Sequence, residues 1–227
     1  MRYSRQIFSK SQKKILNDSN VAIIGLGGLG SICAQLLTRA GVGRLTLIDR
    51  DKVVLSNLHR QILYSEKHIK KEKAYSSKHV LKSINSEIEI KAENLDLDKT
   101  NIEILAGHDL VLGCTDNMES RFLINEFCVR NKIPWINGGA TKTYGNLLVV
   151  MPKGPCLECV FPRTEKKSKE IVNTIPNIIG AMQVTQAYKV LLNRDYEKDL
   201  VYFDAWKNEL TKIKIKKKPD CPCRTIL

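Results

Sequence analysis

The sequence predicts an α/β protein with a mostly parallel sheet, helices on both of its faces, and antiparallel strands added at the C-terminal end. Short apolar, β-branched runs alternate with helical stretches over the first 140 residues, which is typical of parallel strands joined by right-handed crossovers. A glycine-rich loop, GLGGLGS at 25–31, directly follows the first apolar run. After residue 140 this alternation stops while strand-like runs continue, so we expect antiparallel pairing there.

The predicted elements follow one another in a regular order. Strands are expected at 20–25, 44–49, 87–91, 109–113, 134–137 and 146–151, and helices at 27–40, 71–84, 119–130 and 176–192. Two final runs, 200–205 and 211–215, predict an antiparallel pair. The lysines that alternate with isoleucine at its end suit an exposed edge strand about as well as a binding arm. We expect one domain over 1–227, with a helical lead-in at 1–19, a loop-bearing part at 20–140 and a third part at 141–227.

The composition limits the classes of protein to consider. With 227 residues, 43% of them hydrophobic and 27% charged, the chain is expected to be globular, with a core that needs no disulfides. No apolar stretch is long enough to span a membrane and the first ten residues contain no apolar signal segment, so we expect a cytoplasmic protein. The net charge of +13 favours nucleic acid, a phosphate ligand, a membrane surface or an acidic protein as partner, or else a lysine-rich solvated surface.

The glycine loop predicts a Rossmann-like nucleotide site. Gly25, Gly27 and Gly30 form the pattern G-x-G-x-x-G between a strand and a helix, with Gly28 inside it. In this pattern the first glycine permits a tight turn, the second lets the backbone approach a phosphate, and the third lets the helix pack closely. Asp49 ends the next strand, 19 residues after Gly30, where an acid can bind a ribose. The part at 20–140 is therefore predicted to bind a nucleotide, and a tight turn without a ligand is the alternative.

Polar side chains suited to phosphate chemistry cluster after this loop. No Gly-Lys-Ser/Thr follows the glycines, so the loop is not a Walker A motif. Asp116 lies just beyond the strand at 109–113, at the edge where ligands bind, and its carboxylate suits Mg²⁺. The four histidines do not lie at strand ends, which argues against hydride transfer to NAD, and His108 is expected at the surface. The candidates, each of which alone is also consistent with a solvated surface, are Asp51, Ser56, Asn57, Arg60, Gln61, Lys73 and Asp116.

Four segments together resemble the MoeB/ThiF/HesA family, the bacterial and archaeal relatives of ubiquitin-activating E1 enzymes. They are RYSRQI at 2–7, GLGGLGS at 25–31, LIDRDKVVLSNLHRQ at 47–61 and TDN at 115–117. The resemblance implies a homodimer that binds ATP with Mg²⁺ and adenylates the C-terminal glycine of a small ubiquitin-fold protein, releasing pyrophosphate. It also implies that the part at 141–227 binds this carrier and zinc. A ThiS- or MoaD-like sulfur carrier ending in Gly-Gly is the expected partner, in thiamine, molybdopterin or another sulfur route.

The resemblance also implies roles for individual residues. Asp49 would hold the ATP ribose, Asp116 would coordinate Mg²⁺, and Arg5 would enter the active site of the neighbouring subunit. The phosphates would be contacted by Asn57, Arg60 and Lys73, with Gln61 close by. Three alternatives remain open: adenylation of a peptide or small-molecule carboxylate, an NAD-dependent oxidoreductase, and a non-catalytic module that binds nucleotide or nucleic acid.

Four of the seven cysteines predict a zinc site. Cys156 and Cys159 form a C-x-x-C pair, and Cys221 and Cys223 form a C-x-C pair. Two such pairs commonly supply the four thiolates of a structural zinc, although the family usually has C-x-x-C in both places. The remaining cysteines, Cys33, Cys114 and Cys128, are expected in the core.

The segment between residues 163 and 176 contains no cysteine that could form a covalent link with a carrier. We therefore expect adenylation alone, with another protein donating sulfur.

Much of the charge excess lies in two places: 207–218 has six lysines and one glutamate, and 163–170 has four basic and two acidic residues. We interpret this basic surface as one that steers an acidic carrier toward the protein.

Overall fold

The computed structural model describes residues 2–163 and 170–224. The strands are β1 (Asn20–Ile24), β2 (Arg44–Ile48), β3 (Glu89–Glu93), β4 (Leu110–Gly113), β5 (Trp135–Thr141), β6 (Tyr144–Val150), β7 (Leu200–Asp204) and β8 (Glu209–Ile213). The α-helices are α1 (Lys10–Asp18), α2 (Gly28–Ala40), α3 (Lys73–Ile84), α4 (Met118–Arg130), α5 (Leu157–Val160) and α6 (Thr174–Leu191).

The strands of the described chain form a single sheet in the order β3-β2-β1-β4-β5-β6-β7-β8. The first five strands along this order pair in parallel, and β6, β7 and β8 are added by antiparallel pairing. The predicted mostly parallel sheet with an antiparallel C-terminal extension is therefore confirmed.

The parallel strands are buried on both faces. In β1, Val21 and Ile23 belong to one hydrophobic cluster, whereas Ala22 and Ile24 belong to the other. Successive side chains of a strand point to opposite faces, so a run without polar residues needs cover on both. Helices α2, α3 and α6 cover the first face, while α4 and the cysteine-bearing segments cover the second.

Strand β3 begins two residues later than predicted. The Asn85 side chain accepts the backbone N–H of Glu87 at 3.2 Å, while the Asn85 N–H still bonds the last turn of α3 at Leu81. This turn after the helix delays the start of the strand to Glu89.

Strand β5 continues through two glycines that the sequence suggested as its end. Gly138 and Gly139 pair with Leu147 and Asn146 of β6. A Cβ at Gly138 would collide with the side chain of Gln183, which reaches across from α6. The glycines therefore admit a close crossing of helix and strand and do not end the strand.

The expectation that His108 is a surface residue is wrong. Its imidazole is half-buried, with Nε2 2.8 Å from the Thr46 hydroxyl and Nδ1 3.1 Å from the Leu105 carbonyl oxygen. Burial lowers the pKa of His108, so this ring is a neutral structural contact at the amino edge of the sheet.

No helix within residues 2–163 and 170–224 combines the length and apolar character required to cross a bilayer.

Candidate active site

A cavity of about 640 Å³ opens at the carboxyl edge of the parallel strands. This is the edge at which open α/β sheets bind ligands. Ten of the residues that the sequence singled out line the cavity: Gly25, Gly27, Gly28, Asp49, Asp51, Asn57, Arg60, Gln61, Lys73 and Asp116.

The glycine loop forms the floor of this cavity. Gly25 has a φ of +87°, and its N–H bonds the Ile48 carbonyl oxygen at 2.8 Å, so the chain turns sharply out of β1. Gly30 does not line the cavity; a Cβ there would overlap the carbonyl oxygen of Gly25. By contrast, a Cβ at Gly27 would meet only the Gln61 amide at 3.6 Å, so the backbone at Gly27 is open to a ligand.

Asp49 ties the loop to the second strand. Its two carboxylate oxygens accept the N–H of Leu26 at 2.6 Å and the N–H of Asp51 at 2.7 Å. Burial raises the pKa of Asp49, and the nearby Lys73 ammonium opposes that shift. Each oxygen keeps a free lone pair, so the carboxylate can still accept a ribose hydroxyl.

Lys73 is a buried cation at the first position of α3. Its side chain is 6% exposed, and its Nζ lies 3.0 Å from a carboxylate oxygen of Asp51, which is 57% exposed. An ammonium group held in a cavity wall by one carboxylate is a preformed partner for phosphate oxygens.

The segment between β2 and α3 presents three further polar groups to the cavity. The Asn57 side-chain oxygen accepts the Val54 N–H at 3.2 Å, which leaves its amide group to donate. Gln61 is 3% exposed, and within the described chain no donor reaches its buried Oε1. Arg60 donates from Nη1 to the Ser56 carbonyl oxygen at 3.0 Å. The Ser56 side chain itself is exposed and does not line the cavity.

The loop after β4 contributes the acid of the site. Asp116 is exposed in the cavity, and Asn117, the next residue, caps α4 by accepting the Ser120 N–H at 2.8 Å. The Arg121 guanidinium holds this loop in place, since it donates to the carbonyl oxygens of Thr115 at 2.7 Å and Gly138 at 2.9 Å.

Sequence reasoning missed Arg50, Asp96 and Arg121, which also line the cavity. Arg50 pairs with Asp96 at 2.6 Å, and that carboxylate raises the pKa of Arg50. An arginine between two aspartates was a visible signal for Arg50, whereas Arg121 is one of four charged residues in α4 and had no distinguishing signal. Asp96 offered no signal, because only the fold brings its loop to this edge.

Helix ends add a positive field to the cavity. Gly28 begins α2, Lys73 begins α3, Asn117 caps α4 and Pro176 lies in the first turn of α6, and all four line the cavity. The N-terminus of a helix carries partial positive charge and unpaired N–H groups. This arrangement therefore favours a polyanionic ligand.

Arg5 lies outside its own chain's cavity. The adjacent Gln6 donates from its side chain to the Ala40 carbonyl oxygen at 3.1 Å, at the C-terminal end of α2. Because α2 begins at the cavity, its 13 residues place Arg5 about 20 Å away. The Arg5 side chain is exposed at this opposite edge of the sheet.

A cluster of thiols lies on the opposite face of the sheet from α2. The sulfur atoms of Cys156, Cys159 and Cys221 are all within 4.8 Å of one another. Cys223 is not part of that triple; its sulfur accepts a hydrogen bond from the Asn125 side chain at 3.3 Å and contacts the Cys156 thiol.

The other three cysteines are buried, as predicted. Cys33 and Cys114 have sulfurs 3.9 Å apart beneath the glycine loop, and Cys128 lies in the core of the opposite face. Burial raises the pKa of Cys33 and of Cys128 well above that of a free thiol, which keeps both thiols protonated.

Comparison with known proteins places this site in context. The model of the ThiF family matches residues 3–223. The chain is 31% identical over 236 residues to the SAMP-activating enzyme E1 of Haloferax volcanii, with 97% of this chain and 87% of that protein covered. It is 37% identical over 236 residues to the adenylyltransferase and sulfurtransferase MOCS3 of Drosophila persimilis, covering 97% of this chain but 52% of MOCS3. The chain thus spans about half the length of MOCS3.

Solved structures share the fold. A crystal structure of E. coli MccB with ATP superposes with a TM-score of 0.85 at 23% identity, over 93% of this chain and 68% of MccB. A structure of the Microcin C7 biosynthetic enzyme MccB with N-formylated MccA gives a TM-score of 0.86 at 22% identity, over 93% of this chain and 69% of that chain.

Proposed function

The chain belongs to the ThiF family of E1-like adenylyltransferases, and from this premise we propose that it adenylates the C-terminal glycine of a small ubiquitin-fold sulfur carrier. The carrier carboxylate would become an acyl-adenylate, and pyrophosphate would leave. The observation that carries the proposal is the single cavity that combines an open glycine loop with the cations Arg60 and Lys73 and the acid Asp116. The sequence likeness to the SAMP-activating enzyme E1 supports a ubiquitin-like acceptor.

The proposed chemistry requires no general base. A carboxylate is already a nucleophile at neutral pH, so its oxygen attacks the α-phosphorus of ATP while the bond to the bridging oxygen breaks and pyrophosphate departs. Negative charge grows on the leaving group, where Arg60 and Lys73 would stabilise it. Asp49 would hold the ribose, and the remaining catalysis is the alignment of carboxylate and α-phosphate.

The residues present fit a magnesium ion. Mg²⁺ prefers a small number of carboxylate ligands together with water and phosphate oxygens. Asp116 presents an exposed carboxylate inside the phosphate cavity, so it would hold the ion. When bound, the ion supplies positive charge to the phosphates of ATP.

We further propose that the enzyme is a homodimer in which Arg5 of the partner subunit enters each cavity. The position of Arg5, about 20 Å from its own cavity by the length of α2, supports a contribution between subunits. A cytoplasmic location would suit a carrier pathway of this kind and would keep the thiols reduced.

The cysteine cluster fits a structural zinc ion. Four thiolates at about 2.3 Å from zinc lie about 3.8 Å from one another in a tetrahedron. The sulfurs of Cys156 and Cys221 are 3.5 Å apart, and Cys159 lies within 4.8 Å of both. Cys223 would be the fourth ligand, with its N–H···S bond from Asn125 orienting it as an outer-shell donor does.

Purified protein is therefore expected to contain about one zinc per chain, a stoichiometry that follows from a four-thiolate site. The Cys221→Ser variant should lose most of that metal and unfold at lower temperature, since a structural zinc contributes directly to folding free energy. Cys128→Ser, which replaces a buried thiol outside the cluster, is the matched control and should retain zinc. Metal analysis of all three proteins decides this, and zinc well below one per chain in the unmodified protein contradicts the site.

The basic C-terminal segment is proposed to steer the carrier. All five residues of β8 are exposed, and Lys214 and Lys216 beyond it are exposed as well. The second basic segment that the sequence suggested, 163–170, lies mainly outside the described residues, because 164–169 are not described.

Replacing Lys214 and Lys216 together with serine is expected to slow carrier association by about tenfold at low salt, because two steering charges are lost. Lys14 and Lys99, exposed lysines elsewhere, provide a double-serine control of equal charge. Association kinetics across a salt series give the measurement. A rate that is independent of salt in the unmodified protein would show the basic segment to be ordinary solvated surface.

The sulfur step is assigned to another protein. No cysteine occurs between 163 and 176, although six residues of that segment, 164–169, lie outside the described chain. The product of this chain would thus be a carrier acyl-adenylate that a separate sulfur donor consumes, in a thiamine, molybdopterin or related route.

The experiment that tests the function is exchange of labelled pyrophosphate into ATP. Exchange should require both the chain and a carrier that ends in Gly-Gly, and should vanish when the last glycine is removed. Thermal stabilisation by ATP but not by NAD should accompany it. Stabilisation by NAD alone would identify an oxidoreductase on this fold, and exchange supported only by a free peptide would identify a peptide-activating enzyme.

A further inference from the structure

We propose that the Tyr64 hydroxyl, backed by Ser77, is a positioning group that aims the Gly27 N–H of the glycine loop at the phosphates of the nucleotide. Neither Tyr64 nor Ser77 lines the cavity, so both would act through the loop and not by touching the ligand. This role rests on the proposed function, since it concerns ATP binding in this cavity, but it does not depend on which acceptor is adenylated.

The Tyr64 hydroxyl takes part in a series of buried hydrogen bonds beneath the glycine loop. Tyr64 is 7% exposed, and its Oη donates to the Leu26 carbonyl oxygen at 3.0 Å. Ser77 is fully buried, and its Oγ lies 2.9 Å from the same Oη. A phenol has one proton, which the Leu26 carbonyl oxygen accepts, so Ser77 donates its own proton to Tyr64. The bonds therefore run from Ser77 through Tyr64 to Leu26, and hydrogen bonds in series strengthen one another.

The bond from Tyr64 fixes the direction of the next N–H along the loop. The Leu26 carbonyl and the Gly27 N–H belong to one planar trans peptide, in which the C=O and the N–H point in opposite directions. Because the carbonyl points to Tyr64 in the core, the Gly27 N–H points to the other side of the loop, where the cavity lies. No acceptor within residues 2–163 and 170–224 takes this N–H, so it is available to a phosphate oxygen.

The loop needs this support because its own sequence leaves its backbone loose. Gly25 and Gly27 flank Leu26, and glycine has more backbone conformations open to it than other residues have. The Asp49 carboxylate holds one peptide through the Leu26 N–H at 2.6 Å, and Tyr64 holds the next peptide through the Leu26 carbonyl oxygen. Without the hydroxyl, this buried carbonyl would lack its partner. The peptide would then turn to reach water, and the Gly27 N–H would turn with it.

The same hydrogen bonds tie the glycine loop to the helix that carries Lys73. Ser77 lies one turn after Lys73 on α3, on the same face of that helix. The Tyr64 Oη is also 3.5 Å from the Lys73 carbonyl oxygen, which is too far for it to compete with Leu26 for the proton. Tyr64 thus lies between two elements that would contact phosphate, and it holds the glycine backbone and α3 in a fixed relation.

The first test compares the affinities of ATP and adenosine for the Tyr64→Phe variant. Phenylalanine keeps the ring that packs in the core and removes the hydroxyl alone. The Kd of ATP should rise about tenfold or more, which is the effect of losing one aligned hydrogen bond to a charged group, while that of adenosine should not change. Titration calorimetry of the full chain gives the ATP value, and competition against ATP gives the adenosine value. An unchanged ratio of the two Kd values overturns the positioning role.

Tyr188→Phe is the matched control for that substitution. The Tyr188 hydroxyl also donates to a main-chain carbonyl oxygen, that of Leu36 in α2 at 3.4 Å. Leu36 lies eight residues after the first residue of α2, about 12 Å along the helix, so the loop is left alone. Both variants should unfold at a lower temperature than the unmodified protein, whereas Tyr64→Phe alone should change the ratio of the two Kd values. An equal change of this ratio in both variants would show a general loss of stability and overturn the proposal.

A second variant separates the two hydroxyls. Ser77→Ala removes the donor behind Tyr64 but leaves the bond from Tyr64 to Leu26, so the Kd of ATP should rise about two- to threefold. The double variant Tyr64→Phe with Ser77→Ala should bind ATP no more weakly than Tyr64→Phe alone, because Ser77 acts through Tyr64. Additive effects of the two substitutions on the free energy of ATP binding would contradict hydrogen bonds in series.

The role of Tyr64 and the proposed function fail separately. Pyrophosphate exchange that appears with no acceptor, together with the loss of ATP affinity in Tyr64→Phe, would overturn adenylation and leave the role of Tyr64 standing. Exchange in the unmodified protein, together with an unchanged ratio of Kd values in Tyr64→Phe, would do the reverse. A chain that does not bind ATP would overturn both.

Discussion

Alanine at Arg60 or at Asp116 is expected to reduce pyrophosphate exchange by about 100- to 1000-fold, the usual effect of removing one group that stabilises charge in a transition state. Arg60 would face the departing pyrophosphate, and Asp116 would hold the magnesium ion. Both side chains line the cavity whose floor is formed by the glycine loop. The exchange assay with a Gly-Gly carrier measures the effect directly.

Two substitutions of the same residue types serve as controls. Arg44 lies at the start of β2, at the opposite edge of the sheet, where it donates to the Asp18 carbonyl oxygen at 2.9 Å. Asp195 forms an exposed surface pair with Lys198. Alanine at either control position should leave exchange unchanged. Unmodified exchange rates in the Arg60 and Asp116 variants would remove the assignment of this cavity as the site of adenylation.

Gly30→Ala is expected to destabilise the fold by about 3 kcal/mol or more. Adding a methyl group to a packed site usually costs about 1–3 kcal/mol, and here the methyl group would meet rigid backbone that cannot move aside easily. A Cβ at Gly30 would overlap the carbonyl oxygen of Gly25 and come within 3.4 Å of the Cys114 Cβ. Helix α2 would have to move away from β1, which would also displace the phosphate-binding backbone. Urea unfolding gives the free-energy difference, and ATP-induced thermal stabilisation should be lost in parallel.

Gly154→Ala is the matched control for that substitution. The nearest atom to a Cβ at Gly154 is the Met151 carbonyl oxygen at 3.4 Å, so a methyl group is accommodated there with little adjustment. We expect its free energy of unfolding to stay within about 0.5 kcal/mol of the unmodified value, as for ordinary surface changes. Equal stability of the two alanine variants would show that the helix does not need its close approach at Gly30.

The parallel half of the fold could be predicted because each of its strands is recognisable from its own short run of apolar residues. Residues 20–24 and 110–113 are apolar throughout, or nearly so, since both faces of the sheet are covered. The end of β5 could not be predicted in this way. Gly138 resembles a turn residue in sequence, and only the arrival of Gln183 from a helix 45 residues away explains it.

The residues of the candidate site also fall into two groups: those that a sequence motif identifies, and those that only the fold brings to the cavity. Asp49, Asn57 and Arg60 are close in sequence and share one loop region, so a single motif identifies them. Asp96 and Arg121 reach the cavity only through the folding of β3 and α4. Arg5 shows the limit of both approaches, because the chain places it away from its own cavity. The role that we propose for Arg5 therefore depends on a second subunit.

The measurement that tests the central claim most directly is the identity of the products formed from ATP with a Gly-Gly carrier. Attack on the α-phosphorus predicts pyrophosphate together with AMP attached to the intact carrier, detectable by mass spectrometry, and neither product when the terminal glycine is absent. Formation of ADP and inorganic phosphate, with an unmodified carrier, would contradict adenylation and place the chemistry at the γ-phosphate.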